Sequence, residues 1–379
     1  MGPTGGDGER RMTAHGRLAR VDLPDFGMPG PRPELAATEY ADRIEALRAR
    51  AHARGYDRVV VYADREHSAN LSFLTGFDPR FEEAVLVLGP DDPPAILAGN
   101  ENKGTAAAAP LPMRMELFQD LSLPNQPRDR SRPLAEILAG EGIGRGSRVG
   151  VLGWKPFADR SRLDVPSYLA DELRALVGGH GLVENANDLL VDPADGLRVI
   201  NSVDQLASFE HAATRTSTGI RRLLHEMRPG MTEAEAVRLL DWDGTPLSCH
   251  LMLTAGPRAR FGLLSPGDRP IERGDPFTVA FGIWGALNCR AGWVAESADD
   301  LPAGVRDYVE RLLAPYFEAV AEWYGALRIG VTGGELQAII DRRLGDPFFG
   351  IFLNPGHELH LDEWVASPIW PGSAVELRS

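Results

Sequence analysis

Apolar and alanine positions recur at helical spacing from Tyr40 to Arg54, and Gly55 breaks the pattern. The short β-branched run RVVVYA (58–63) predicts a buried strand, and residues 66–74 predict a short helix that stops before Gly76. EAVLVLG (83–89) and PAILAG (94–99) read as two strands around a turn-rich Pro/Asp segment. A helical stretch at 133–140 then leads into a further strand, SRVGVLG (147–153). This alternation predicts an α/β domain ending near residue 195. Beyond it, 203–228 forms a long helical pattern closed by Pro229-Gly230, and TEAE (232–235) matches a capping box that opens the next helix. Strands are expected at 249–255, 277–283 and 286–294, helices at 302–326 and 333–344, and a last strand in the Gly/Pro-rich tail. The second half is therefore α+β.

Composition narrows the role. The chain has 379 residues, 43% of them hydrophobic and 25% charged, which is enough to bury more than one core. Its net charge is -14, and no basic block offsets it, so a nucleic-acid partner is not expected. Lysine occurs only at Lys103 and Lys155, so nearly all the cations are arginine. Two cysteines, Cys249 and Cys289, cannot make a disulfide scaffold or a four-thiolate zinc site. No apolar run approaches a membrane span, and residues 1–20 lack the apolar stretch of a secretory signal. We therefore expect a cytoplasmic protein that begins with a flexible tail.

The helix end RPGMTEAEA (228–236), the segment GDRPIERGDPFTVAFG (267–282) and REHSANLSFLTGFDPRFEEAVLVL (65–88) together resemble the creatinase/prolidase superfamily, which includes aminopeptidase P and Xaa-Pro dipeptidase. The resemblance runs over roughly residues 38–375. It implies a creatinase-type, ribonuclease H-like α/β domain over 21–195. An α+β pita-bread domain is implied over 196–379, with its C-terminal end incomplete.

Active peptidases of this superfamily hold two divalent ions with two Asp, one His and two Glu. The two Asp positions correspond here to Ala280 and Ala291, and no carboxylate occurs between Asp275 and Glu296. The catalytic His position falls near Leu263, and the chain stops at Ser379 where the Glu ligands should follow. His357 matches the metal-binding His. The expectation is a member without the two-metal site and without cofactor.

The remaining candidates are few. His357, His360 and Glu363 could supply acid/base chemistry, because imidazole titrates near neutral pH and a carboxylate can orient it. On a strand, however, His357 and His360 would point to opposite faces, and the plainer reading is a hydrogen-bonded strand end. Asn288 and Arg290 are expected to line the pocket, Arg290 as a clamp for an anionic or carbonyl-bearing molecule. Cys289 reads as packing rather than a nucleophile. Phe73, Leu74, Phe77 and Phe81 read as core, Glu66 and His67 as surface residues, and Glu82 and Glu83 as solvated strand-edge charges. Arg80 and Phe81 resemble the Arg and Phe that creatinase-type domains offer to a partner subunit, which implies a homodimer whose cleft is completed in trans.

Three functions follow from the resemblance. One is metal-independent hydrolysis or rearrangement of a C–N bond in a small amide or amino-acid-like substrate. Another is an inactive binding or dimerising homologue, and the third a metal-dependent Xaa-Pro aminopeptidase.

Overall fold

The computed structural model of the chain describes residues 16–22, 27–351 and 356–363. Its first half is built on a six-stranded sheet of β1 (Arg58–Ala63), β2 (Ala84–Leu88), β3 (Ala95–Ala98), β4 (Arg114–Leu117), β5 (Arg148–Leu152) and β6 (Leu182–Asn185). The spatial order is β4-β3-β2-β1-β5-β6, with β1 antiparallel to β2 and parallel to β5.

The apolar runs seen in the sequence are continuous because both faces are covered. Val59, Val61 and Leu86 face one core, where they meet α1 (Ala37–Ala53) and α2 (Ala69–Thr75). Val60, Val85 and Val151 face the other. There they meet the helices at Leu134–Gly140 (α4) and Ser167–Val177 (α5). Two short helices, α3 (Asn102–Ala106) and α6 (Asp188–Val191), complete this half. β1 and β5 are thus adjacent parallel strands whose following helices lie on opposite sides of the sheet.

The second half contains a three-stranded antiparallel sheet, β7 (Met252–Ala255), β8 (Pro276–Ile283) and β9 (Ala286–Trp293), ordered β7-β8-β9. Helix α7 (Val203–Glu226) packs across it, burying Ala212, Ile220 and Leu223 against Phe277, Val279 and Phe281. The approach is close at Gly219, where an added Cβ would lie 2.5 Å from the Leu240 carbonyl and 3.0 Å from the Phe281 ring. The predicted capping box is present: Thr232 and Glu235 bond reciprocally at the start of α8 (Glu233–Ala236). Thr332 and Glu335 repeat the device at α10 (Gly333–Leu344). Each box follows a glycine at positive φ, Gly230 or Gly330, where a Cβ would be strained.

Several expectations shift. The helix expected from residue 66 starts at Ala69, because the Asp64 carboxylate accepts from the Glu66 and His67 amides and holds that stretch as a turn. The helix expected over 302–326 is broken. Pro315 has no N–H to close the preceding turn, the chain widens into a π turn at Val309–Leu313, and α9 covers Ala314–Ala326. Residues 356–363 form no strand, and the rest of the tail, 364–379, lies outside the described residues. Among the described residues no helix is long and apolar enough to cross a membrane.

Candidate functional site

The register of β7, β8 and β9 decides which side chains share a face. Phe277, Val279, Phe281 and Ile283 point toward α7, and their β9 partners Gly292, Arg290, Asn288 and Ala286 share that side. The inner face therefore carries Met252 and Thr254 from β7, Thr278 and Ala280 from β8, and Cys289 and Ala291 from β9. Thr254 and Thr278 hydrogen-bond each other at 2.9 Å. A cavity of about 560 Å³ opens at one end of this face, lined by Thr278, Ala291, Trp293, Tyr308 and Arg260. Such a site offers apolar and aromatic contact, hydroxyls and one guanidinium. Asp275, paired with Arg269, borders the same cavity, so the site can hold a small molecule by shape, with a cation and an anion at its edge.

Cys249 and Cys289 lie close enough to the Glu363 carboxylate to feel its charge. Burial, then Glu363, pushes the Cys249 thiol up to about 11, and the same two causes raise Cys289. A raised thiol pKa disfavours the thiolate, the nucleophilic form, at both positions. Cys289 is exposed, so the expectation that it packs inside is corrected.

The three residues expected to do acid/base work are not brought together. His360 is enclosed: its ring packs edge-on against Phe73 and Phe209, and Nε2–H donates to Asn201 Oδ1 at 3.0 Å. Burial and the charges of Arg198 and Arg43 hold its pKa well below the usual histidine range, so it is a neutral core residue. His357 lies at the surface, its Nδ1–H donating to the Glu358 carbonyl at 2.7 Å. Glu363 is exposed beside the cysteines. Glu358, between the histidines, keeps Oε2 buried without a hydrogen-bond partner, and burial lifts its carboxyl to about 7.

The expected substrate contacts also move. Asn288 donates to Thr216 Oγ1 of α7 at 2.7 Å, and Arg290 emerges on the same outer side, so neither faces the inner cavity. Arg80 is committed within the chain. Its guanidinium is held by Asp78, donates to the Leu247 carbonyl at 2.8 Å and stacks 4.4 Å over Trp284. Phe81, expected in the core, is 64% exposed. Glu82 is buried rather than solvated, because it accepts from the Glu101 and Asn102 amides. Glu83 accepts from the Tyr62 and Tyr168 hydroxyls, and His67 stacks on Trp154 at 3.6 Å with Asp64 beside it. The Thr254–Thr278 pair, Arg260 and Trp293 were not singled out by sequence, because nothing in their spacing marks them.

A pair of divalent ions needs several oxygen or nitrogen ligands converging on one point. Among the described residues no group of three or more His, Cys, Asp or Glu could hold a metal ion. Ala280 and Ala291 both lie on the inner face, so among the described residues neither of these positions offers a metal ligand.

Comparison with known proteins gives this geometry a setting. Residues 43–184 match the Creatinase/Prolidase N-terminal domain family. The chain is 24% identical over 181 residues to the uncharacterized peptidase YqhT of Bacillus subtilis, an alignment covering 46% of this chain and half the length of that relative. It superposes on the prolidase from Pyrococcus horikoshii OT3 with a TM-score of 0.66 at 15% identity, covering 89% of this chain and 87% of that one. The Xaa-Pro dipeptidase from Bacillus anthracis gives 0.64 at 15%, with 89% and 87% covered. The X-Pro aminopeptidase from Thermotoga maritima MSB8 gives 0.65 at 15%, with 86% and 84% covered. Residues 43–184 thus match the Creatinase/Prolidase N-terminal domain family, and the chain shares the two-part fold of these solved structures.

Proposed function

We propose that this chain is a ligand-binding member of the creatinase/prolidase superfamily that does not carry out two-metal peptide hydrolysis. The ligand is a small amide- or amino-acid-like molecule, or the end of a peptide, held in the cavity beside Thr278, Trp293 and Arg260. The observation carrying this reading is the inner face of β8 and β9, where Ala280 and Ala291 stand at the positions that resemblance gives to acidic ligands. Metal-independent cleavage of a C–N bond has less support, because His360 is sealed in a core and stands apart from His357 and Glu363.

The test is metal content and peptidase activity together. Protein prepared in manganese-supplemented medium should carry substoichiometric metal and leave Xaa-Pro dipeptides and tripeptides intact, while such peptides raise its melting temperature. Two metal equivalents with proline-dependent cleavage would return the chain to the ordinary peptidases.

The proposal includes a homodimer in which Phe81, exposed beside the fixed Arg80, reaches the partner's cleft. Light scattering should give twice the chain mass for the native protein and less for Phe81→Ser. A native monomer at micromolar concentration ends the trans-cleft idea.

A further inference from the structure

The two charged groups that border the inner cavity, Asp275 and Arg260, are not equally available to a ligand. Asp275 is committed: the Arg269 guanidinium donates to both its oxygens, at 2.6 and 3.1 Å, and the Glu272 amide adds a third bond. Asp300, packed against Gly274 at the rim, is tied to Arg273 at 3.3 Å and accepts from the Glu296 amide at 2.8 Å. Arg260 differs. It is exposed, and among the described residues no carboxylate pairs with it; its guanidinium lies 4.6 Å over the Phe261 ring. Stacking engages the flat face of a guanidinium and leaves the N–H donors, which lie in its plane, for a carboxylate or phosphate.

The segment carrying Arg260 is fixed without a ligand. Glu233, fully buried, accepts from the Ala255 and Gly267 amides, both at 2.8 Å, and pairs with Arg258. Arg258 also donates to the Ser265 carbonyl at 2.9 Å. One buried carboxylate thus holds both ends of 255–267, and Arg258 supplies its counter-charge, so Arg260 is not needed for the fold there. Further along the cavity wall the lining is aromatic. Trp293 ends β9 and meets Tyr308 edge-on, with ring centroids 6.3 Å apart and planes at 76°. Tyr308 directly precedes the π turn at Val309–Leu313, and single π turns recur at functional sites. Rings at such an angle offer a face and an edge to a third ring.

We infer that the inner cavity selects an organic acid carrying a flat ring, which rests on the proposal above that this cavity holds the ligand. The acid group sits on Arg260, and the ring lies against Trp293 and Tyr308. A free aromatic acid and a peptide ending in an aromatic residue share this chemistry.

Isothermal titration of the full chain with 3-phenylpropionate, 3-phenylpropanamide and butyrate tests the assignment. The aromatic acid should bind about tenfold or more tightly than its amide or the ringless acid, as expected for a charge-assisted hydrogen bond and a buried ring. Acetyl-glycyl-phenylalanine separates the two sources: tighter binding than 3-phenylpropionate names a peptide end, weaker binding a free acid. Arg260→Gln should remove the advantage of the acid over the amide, and Trp293→Ala should weaken both. Arg290→Gln, on the other side of β9, should change neither. Arg260 is exposed, and an unaltered melting temperature of unliganded Arg260→Gln checks that the fold survives. Equal binding of acid and amide, or full affinity in Arg260→Gln, would overturn the selection while leaving the cavity a ligand site. Failure of all four compounds to bind would overturn it too. A melting temperature still raised by Xaa-Pro peptides would then keep the proposed function, and an unchanged one would remove both.

Discussion

Glu358 shows how one side chain can set a pH dependence. Its carboxyl is lifted to about 7 by burial, and Oε2 has no hydrogen-bond partner to compensate. The folded chain therefore holds this proton more tightly than the unfolded chain, whose carboxyl titrates near its ordinary value of about 4.3. Stability from this group is full at acid pH, falls as pH rises through the interval up to about 7, and stays low above it. Glu358→Gln should remove the fall. At pH 8 the variant should be more stable, by about 1 kcal/mol or more, the cost of a buried unsatisfied polar group. Urea unfolding at pH 5 and pH 8 measures it, and an identical gain at both values would show that the carboxyl is not what titrates. His360 works in the opposite sense. Its pKa is depressed, so the unfolded chain takes the proton below about 6.5 and stability is lost on acidification. The two residues thus oppose each other over mildly acid pH, and the single substitution separates them.

At the scale of elements, the sequence was most legible where burial is continuous or a local bond marks a boundary. β1, β2, β3 and β5 stand within a residue or two of where their apolar runs place them, and α7 and α10 follow their periodicity. The Thr232–Glu235 capping box was readable because both partners lie within one turn. β4 and β6 were not found. They are four-residue edge strands carrying Arg114, Glu116, Glu184 and Asn185, so half-exposure dilutes the apolar signal. The candidate site failed for a related reason. Alternation along β9 correctly separates Asn288 and Arg290 from Cys289, but periodicity cannot say which face a helix will cover. That is settled by the long-range packing of α7, and it sends Arg290 outward. Glu82 misled in the same way, since the amides it accepts from lie some twenty residues further along the chain.

At the scale of the whole molecule, the two halves are joined by a chain of buried polar contacts rather than by apolar surface alone. Arg198 is 2% exposed; it donates to Asn70 Oδ1 of α2 at 2.7 Å and to the Asp362 carboxylate. Asn70 in turn donates to the Gly153 carbonyl at 2.7 Å, just past β5. Arg43 of α1 donates to Gln205 of α7 at 3.0 Å, and Asn201 accepts from His360. The segment 356–363 is therefore anchored through Asp362 to the first half of the chain. An ion pair of this kind is costly to break singly, because the surviving charge is left uncompensated in the interior. Asp362→Leu should lower stability by about 3–5 kcal/mol. The double substitution Arg198→Leu with Asp362→Leu should cost less than Asp362→Leu alone, since no stranded charge remains. Denaturant unfolding of the three variants gives the comparison. A loss of only about 1 kcal/mol or less for Asp362→Leu, the range of exposed pairs, would mean that the pair is not buried and that segment 356–363 is held by other contacts.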